Sequence, residues 1–483
     1  MTLTSPVTSS VLSDPGIPPS PTSRQRVATG ANQAPALMVE DLRALVDSGE
    51  VDTVVMAATD IQGRLQGKRQ SARFFLDELM EHGTEGCNYL LAVDVDMNTV
   101  DGYDMSSWET GYGDLVFSPD LSTLRRLPWQ PGSVLVTCDL LWPDGSPVAA
   151  SPRQILARQV ERLRELGLEA FAGTELEFIA FDTSYEDAQR SDYREVRPSN
   201  LYNVDYSLLG TARVEPLLRD IRNSMAGAGM YVEGAKGECN LGQHEITFRY
   251  ADVLTTCDNH SIYKNGAKEI AAQHGKSITF MAKYNQREGS SCHVHLSLRD
   301  TEGGAVLPGD SEHGFSPIME RFIAGQLACL EDFTYFFAPN INSYKRFVEG
   351  SFAPTALAWG FDNRTCALRV VGEGPSLRVE TRVGGADLNP YLATAAIIAA
   401  GIHGIENELE LPPVTEGSAY AGDAQRLPTT LRAARERLGA SQTAREAFGD
   451  DVVRHYLNAA DVELADYESS VTDWERRRGF ERL

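Results

Sequence analysis

The sequence lacks the cysteine pairs and long apolar runs that identify several common protein classes. Its seven cysteines are scattered without a C-x-x-C pair, so it predicts neither a disulfide framework nor a zinc site and favours a reducing cytoplasm. No apolar run reaches the ~18 residues of a transmembrane helix, and residues 392–402 are instead typical of a core helix. The first residues show no basic start before an apolar stretch, so we expect no signal peptide.

Positive charge is also scarce. The chain has 44 Lys and Arg residues against 68 Asp and Glu residues, which gives a formal net charge of −24. This excess argues against nucleic acid or an anionic membrane as the main partner, and part of it is available for binding metal ions. A length of 483 residues allows two or three domains, and an apolar content of 42% is ordinary for a folded globular protein.

Composition and periodicity divide the chain into three parts. Residues 1–36 are rich in Ser, Pro and Thr without periodicity, which predicts a disordered tail. Residues 37–147 alternate short helix and strand patterns and predict a small α+β domain. A helix that starts with Ser151 as its cap and Pro152 at its first position opens the second domain, which we place at residues 148–483.

The clearest chemical signal is the stretch from Gly173 to Phe181, whose alternation predicts a buried strand. A period of two places Glu175 and Glu177 on the same face of that strand. Two neighbouring carboxylates repel each other, so a partly buried pair needs a cation between its members or a proton on one of them. A solvated strand face is the alternative interpretation of such a pair taken alone.

Three further stretches place charged or imidazole groups on one face and apolar groups on the other. They carry Glu238 and Glu245 in residues 237–250, His293 and His295 in residues 292–298, and Arg378, Glu380 and Arg382 in residues 377–383. Four such strands predict one functional sheet face, and a carboxylate-dominated set favours Mg²⁺ or Mn²⁺. The interleaved arginines suggest a nucleotide triphosphate, although the G-x-x-x-x-G-K-[ST] loop is absent.

Seven ordered motifs resemble those of the type I glutamine synthetase family, from about residue 40 to the end of the chain. They are DIQGRLQGKR (60–69), TELEF (174–178), GQHEI (242–246), KYNQREGSSCHVHLSL (283–298), NSYKR (342–346), DNRTCALRV (362–370) and RVETRVGGADLNPYL (378–392). The resemblance implies an α+β fold with a small β-grasp-like N-terminal domain and a large catalytic domain with a curved antiparallel sheet flanked by helices. It also implies a cytoplasmic, ring-shaped dodecamer with each active site between two subunits.

The resemblance assigns roles to individual residues and implies two divalent ions per site. The implied ligands of the metal at the glutamate site are Glu177, Glu238 and Glu245, and those of the metal on the nucleotide phosphates are Glu175, His293 and Glu380. The implied ATP contacts are Glu233, His295, Ser297, Arg364, Arg369 and Arg378. The implied contacts to glutamate or to the transferring phosphoryl group are Gly289, Arg346, Arg364 and Arg382, of which Arg346 and Arg364 are the expected catalytic residues.

The implied reaction is ATP-dependent formation of γ-glutamyl phosphate followed by attack of an amine, and departures from the family pattern bear on that amine. Phe352 stands where ammonia-using members carry a flap glutamate, which favours an organic amine, and we expect ethanolamine. Asp101 is the best match to the aspartate that deprotonates the acceptor, with Asp104 or Glu349 as other candidate bases. Polyamines, ammonia and a non-catalytic assembly remain alternatives, and we interpret Tyr420 as structural rather than as a modification site.

Overall fold

The computed structural model describes residues 37–483, so the disordered tail predicted for residues 1–36 lies outside the described residues. The first helix, Val39–Asp47, turns Leu42 into the core, as its apolar spacing predicts. The elements of the first part are α1 (Val39–Asp47), β1 (Thr53–Thr59), β2 (Leu65–Ser71), α2 (Ala72–Phe74), α3 (Met80–His82), β3 (Thr84–Cys87), β4 (Asp114–Pro119), β5 (Arg125–Arg126) and β6 (Ser133–Leu141).

These strands form a six-stranded sheet in the order β2-β1-β6-β4-β3, with β5 on β6. Strand β6 lies at the centre of the sheet, parallel to β1 and antiparallel to β4. Its sequence SVLVTCDLL is mostly apolar and almost wholly buried, as expected for a central strand. The sheet confirms the predicted N-terminal α+β part.

The second part contains a nine-stranded sheet covered by helices. Its strands are β7 (Leu168–Phe181), β8 (Val232–Gly237), β9 (Gln243–Phe248), β10 (Ala251–Asp252), β11 (Ser277–Thr279), β12 (Cys292–Asp300), β13 (Trp359–Phe361), β14 (Leu368–Val371) and β15 (Arg378–Thr381). Its helices are α4 (Pro152–Glu165), α5 (Tyr185–Arg190), α6 (Leu208–Thr211), α7 (Glu215–Gly227), α8 (Val253–Gln273), α9 (Pro317–Phe337), α10 (Pro390–Glu406), α11 (Leu431–Ala440), α12 (Gln442–Phe448), α13 (Asp450–Ser469) and α14 (Asp473–Gly479).

The sheet order is β13-β14-β15-β12-β7-β9-β8, and β10 and β11 also pair with the long strand β7. All of its pairs are antiparallel except β13 with β14, so the predicted antiparallel sheet carries one parallel edge. The α+β architecture with two unequal sheets is the one that the sequence predicts.

Helices α9 and α10 pack closely behind this sheet. Residues 392–402 lie inside α10 and are buried, which confirms them as a core helix. A Cβ atom on Gly325 would lie 2.1 Å from the Ala400 carbonyl oxygen, so glycine is required where the two helices touch. Within residues 37–483, none of the helices combines the length and the apolar character needed to cross a membrane.

A buried ion cluster ties the first part of the chain to the second. Arg153 of α4 lies 2.8 Å from Asp120 and 2.7 Å from Asp139 in the first part, and 3.1 Å from Asp258 of α8. Ser151 does occupy the N-cap of α4, with Pro152 at the first helical position, but its side chain makes no capping hydrogen bond.

Candidate active site

Strand register brings the predicted acidic and imidazole residues onto one sheet face. The four strands that carry them, β15, β12, β7 and β9, are consecutive neighbours in the sheet. Glu177 pairs directly with Glu245 and Glu175 with His293, while His295 pairs with Glu380. Directly opposite side chains lie on the same face with Cβ atoms about 5 Å apart, so the pairing brings these residues together, and Glu238 joins them from the segment between β8 and β9.

The first cluster consists of Glu177, Glu238 and Glu245. One carboxylate oxygen from each lies within 4.8 Å of the other two, a spacing suited to one metal ion. Glu177 is held by its neighbours, because the Ser291 N–H and hydroxyl each donate to it at 2.7 Å and Gln243 Nε2 donates at 2.9 Å. These bonds fix the orientation that a ligand needs.

Electrostatics in this cluster favour an added cation. Burial, followed by repulsion from Glu175 and Glu177, raises the pKa of Glu245 to about 8, and the charge of Lys236 offsets only part of that rise. A buried carboxylate with such a pKa is short of positive charge. Three oxygen donors of this kind fit a hard divalent ion such as Mg²⁺ or Mn²⁺.

The second cluster consists of Glu175, His295 and Glu380, whose ligand atoms also lie within 4.8 Å of one another. The imidazole in this trio is His295, whereas the sequence predicts His293. His293 is nevertheless adjacent, since its Nδ1 lies 3.2 Å from Glu175 and 3.3 Å from Glu380. Both imidazoles are therefore within reach of an ion held by the two carboxylates.

The neighbouring imidazoles and Arg382 keep the two carboxylates of the second cluster ionised. Burial opposes ionisation of Glu175, but hydrogen bonds with His293 and His295 outweigh it and keep the pKa of this carboxyl below its usual range. Burial likewise opposes ionisation of Glu380, and the neighbouring His293 and Arg382 outweigh it and lower that pKa. Burial lowers the pKa of His293, which leaves a neutral imidazole able to bind a metal.

The whole first cluster, Glu175 of the second cluster and the adjacent His293 line one cavity of about 340 Å³. The predicted glutamate-site residues Gly289, Arg346, Arg364 and Arg382 line it, as does Phe352. Arg346 is fixed by donating to the carbonyls of Val383 at 2.8 Å and Arg382 at 3.1 Å, and burial lowers its pKa to about 10.

An adjoining cavity of about 810 Å³ shares Glu175, Arg364 and Arg369 with the first. His295 and Arg378 also line it, opposite the aromatic rings of Phe361 and His313. Arg369 donates to Glu380 at 2.8 Å, so it links this cavity to the second cluster. Three arginines beside two aromatic rings suit a nucleotide triphosphate.

Several predicted residues lie elsewhere. Among residues 37–483, these four line neither of the two cavities: Glu233, Ser297, Asp101 and Glu349. The Asp101 carbonyl accepts a hydrogen bond from Asn458 of α13 at 3.0 Å, and Asp104 pairs with Arg454 of the same helix. Glu349 pairs with Arg426 at 3.2 Å. The Tyr420 hydroxyl donates to the Ala353 carbonyl at 3.0 Å, which agrees with a structural role.

The sequence interpretation missed Lys236, Ser291 and Gln243. Lys236 pairs with Glu245 in register, contacts the Glu238 carboxylate and lines the first cavity. Alternation along β8 could have indicated it. Ser291 acts through a loop immediately before β12, and nothing in its local pattern distinguishes it from an ordinary loop serine.

Comparison with known proteins agrees with this geometry. The glutamine synthetase catalytic domain matches residues 149–479. A γ-glutamylethanolamide synthetase of Streptomyces coelicolor is 63% identical over 94% of this chain and 98% of its own length. A glutamate–isopropylamine ligase of a Pseudomonas species is 36% identical over 90% of this chain and 96% of its own.

A solved structure shares the fold. A GmaS–ADP complex superposes with a TM-score of 0.80 at 27% identity, over 91% of this chain and 99% of its own. The match to the catalytic domain covers well over half of the sequence and contains every strand of the site. From these matches and from the paired carboxylate strands, we conclude that the chain belongs to the glutamine synthetase family.

Proposed function

We propose that this protein is an ATP-dependent ligase that activates L-glutamate as γ-glutamyl phosphate and joins it to ethanolamine. The observation that carries the proposal is the 63% identity to a γ-glutamylethanolamide synthetase over nearly the whole of both chains. The cavity supports the ligase class independently, since it combines two acidic clusters with the arginines of a phosphate site.

In the proposed site, each acidic cluster holds one Mg²⁺ or Mn²⁺ ion. Glu177, Glu238 and Glu245 are the ligands of one ion, and Glu175 and Glu380 with an imidazole are those of the other. When bound, such ions neutralise the phosphate charge and the charge that develops during phosphoryl transfer.

The arginines divide between the two cavities. Arg378 lines the larger cavity and Arg369 lines both cavities, and these two are assigned to the ATP phosphates. Arg364 also lines both cavities and is assigned to their junction with the glutamate site. Arg346 is held rigidly by two backbone carbonyls and is assigned to the carboxylate or phosphoryl group of the reacting glutamate. Glu233 and Ser297 stay proposed ATP contacts on the strength of the family resemblance alone.

The second step requires a neutral amine. A primary alkyl ammonium has a pKa near that of lysine, about 10.4, so only on the order of one molecule in 10³ is nucleophilic at pH 7. A base must therefore accept its proton. Asp101 and Asp104 line neither cavity in their own chain. We therefore propose that one of them is the base and that it reaches the active site of a neighbouring subunit in a ring-shaped dodecamer.

Phe352 is the proposed acceptor-selecting residue. It lines the cavity with 57% of its surface exposed, and its carbonyl accepts from Arg382 Nη2 at 3.3 Å. Its φ of +60° is unfavourable for a bulky residue, so the loop holds this ring at the cavity mouth at some conformational cost. An apolar ring at that position favours the carbon chain of an organic amine over bare ammonium.

The test is phosphate release from ATP, with L-glutamate and Mg²⁺, against ethanolamine, isopropylamine, putrescine, spermidine and ammonia. We expect the highest kcat/KM with ethanolamine and a product of the mass of γ-glutamylethanolamide. The Glu245→Gln variant is the control for contaminating activity and should release no phosphate above background. A preference for ammonia or a polyamine would replace the proposed acceptor, and no turnover with any amine would refute the ligase.

An active site formed by two subunits leads to a separate prediction about assembly. Asp101→Asn and Glu245→Gln should each be inactive alone. If each active site draws these residues from two subunits, mixed oligomers of the two variants should recover about a quarter of the activity of the unaltered protein at equal mixing, because random pairing produces intact sites. Failure of the mixture to recover activity would place both residues in one subunit's site or exclude Asp101 from it.

A further inference from the structure

Lys236 places a positive charge inside the cluster of carboxylates that would hold a metal ion. It lies on β8 directly opposite Glu245, and its ammonium contacts the Glu238 carboxylate. Two of the three proposed ligands of the first ion are thus partnered by one lysine. An ammonium in contact with Glu238 and a divalent ion bound between the same carboxylates would repel each other strongly.

The side chain of Lys236 also has a second position available to it. Strand β8 is the edge strand of the sheet within residues 37–483, so no strand of this part of the chain lies beside Lys236 on its outer side. Its ammonium already lies 5.0 Å from the centre of the Tyr206 ring, a cation–π distance. Asp205 lines the same cavity next to Tyr206 and offers a carboxylate there.

We propose that Lys236 is a built-in competitor for the first metal position: its ammonium pairs with Glu238 and offsets part of the charge of Glu245 in the metal-free protein, and it withdraws toward Tyr206 and Asp205 when the ion binds. The inference rests on the proposed metal site at Glu177, Glu238 and Glu245. Its consequence is that the lysine lowers the affinity of this position for divalent ions, while keeping the acidic cluster folded without them.

The test measures Mn²⁺ binding to the metal-stripped full-length protein. Titration calorimetry and the electron paramagnetic resonance signal of free Mn²⁺ both report the Kd. Lys236→Met should lower the Kd for Mn²⁺ at the first cluster by about tenfold. The reason is that a neighbouring charge changes a carboxylate's affinity for a cation by about one to three powers of ten. Lys236→Arg keeps the charge and should bind as the unaltered protein does. Lys276→Met is the matched control, since Lys276 pairs with Asp182 outside the cavity and its loss changes the net charge equally.

A second variant tests the withdrawn position. Asp205→Asn should weaken Mn²⁺ binding several-fold when Lys236 is present and have no effect in the Lys236→Met background, which a merely structural role of Asp205 would not produce. Equal Kd values for Lys236→Met and the unaltered protein, or equal effects of the Met and Arg variants, would overturn the inference. If the unaltered protein binds no Mn²⁺, or if Glu245→Gln leaves binding unchanged, the proposed metal site itself fails.

Discussion

Without a divalent ion, Glu245 should make the protein less stable as the pH rises. Its pKa is raised from an ordinary value of 4.5 to about 8 by burial and by repulsion from Glu175 and Glu177. A carboxyl with a raised pKa favours the folded state when it is protonated. That contribution is fully present below about pH 4.5 and is lost as the pH rises through about 8.

The size of the effect follows from the pKa. At 1.36 kcal/mol per pKa unit, a rise from 4.5 to about 8 corresponds to an upper bound of about 5 kcal/mol in the free energy of unfolding. Water entering the cavity and relaxation of Lys236 reduce this, and we expect about 2–4 kcal/mol. The buried histidines titrate with the opposite sign, so the effect must be measured as a difference between variants.

The assay is urea unfolding of the metal-free protein with a chelator, at several values from about pH 5 to about pH 9. Glu245→Gln keeps the shape of a protonated carboxyl and should become more stable than the unaltered protein as the pH rises, by the stated 2–4 kcal/mol. Glu233→Gln, on an exposed glutamate of the adjacent strand, is the control and should show no such trend. Adding Mn²⁺ at the highest pH should make the unaltered protein more stable than Glu245→Gln.

A stability difference between Glu245→Gln and the unaltered protein that stays constant across this range would refute the reasoning. It would mean that the metal-free cluster already holds enough positive charge to ionise Glu245 at no cost. Lys236 would then be a complete counter-charge rather than a partial one.

Three further predictions concern the acceptor, the first cluster and the ion cluster between the two parts. Phe352→Glu should raise the ratio of kcat/KM for ammonia to that for ethanolamine by about tenfold; an unchanged ratio would count against this position as a selector. Ser291→Ala removes the 2.7 Å hydroxyl bond to Glu177 and should weaken Mn²⁺ binding by about tenfold in calorimetry, whereas an unaltered Kd would show that the backbone N–H suffices. Arg153→Met removes a guanidinium that is ion-paired with buried Asp120 and Asp139 and should cost about 3–5 kcal/mol in urea unfolding, and a loss below about 1 kcal/mol would contradict that role.

The sequence predicted the strands of the acidic clusters well, because a period of two fixes which side chains share a face. Glu175 and Glu177 do lie on one face of β7, and β7 forms four consecutive strands of the sheet with the three others identified by alternation. The repetition of this pattern on four strands, rather than repulsion within one carboxylate pair, predicted a common site. Which imidazole completes the second cluster depends on side-chain direction: His295 belongs to the compact trio, and His293, the predicted ligand, lies 3.2 Å from Glu175 and 3.3 Å from Glu380.

Features that depend on loops could not be predicted in the same way. Ser291 orients Glu177 from outside any strand, so no periodicity marks it. Asp101 and Glu349 were predicted from the family resemblance, and neither lines the two cavities. Sequence spacing places residues along an element, but it does not determine where a loop lies relative to the site.

The Arg153 cluster has a consequence for how this chain can be divided. A fragment that ended near residue 148 would separate Asp120 and Asp139 from Arg153, which would stay beside Asp258 in the complementary fragment. The first fragment would then lose two ion pairs that are buried in the whole chain, while the second would keep one arginine beside one carboxylate. The two halves are therefore not interchangeable modules: a chimera built from two relatives needs the acidic pair of one part to be matched by an arginine in the other.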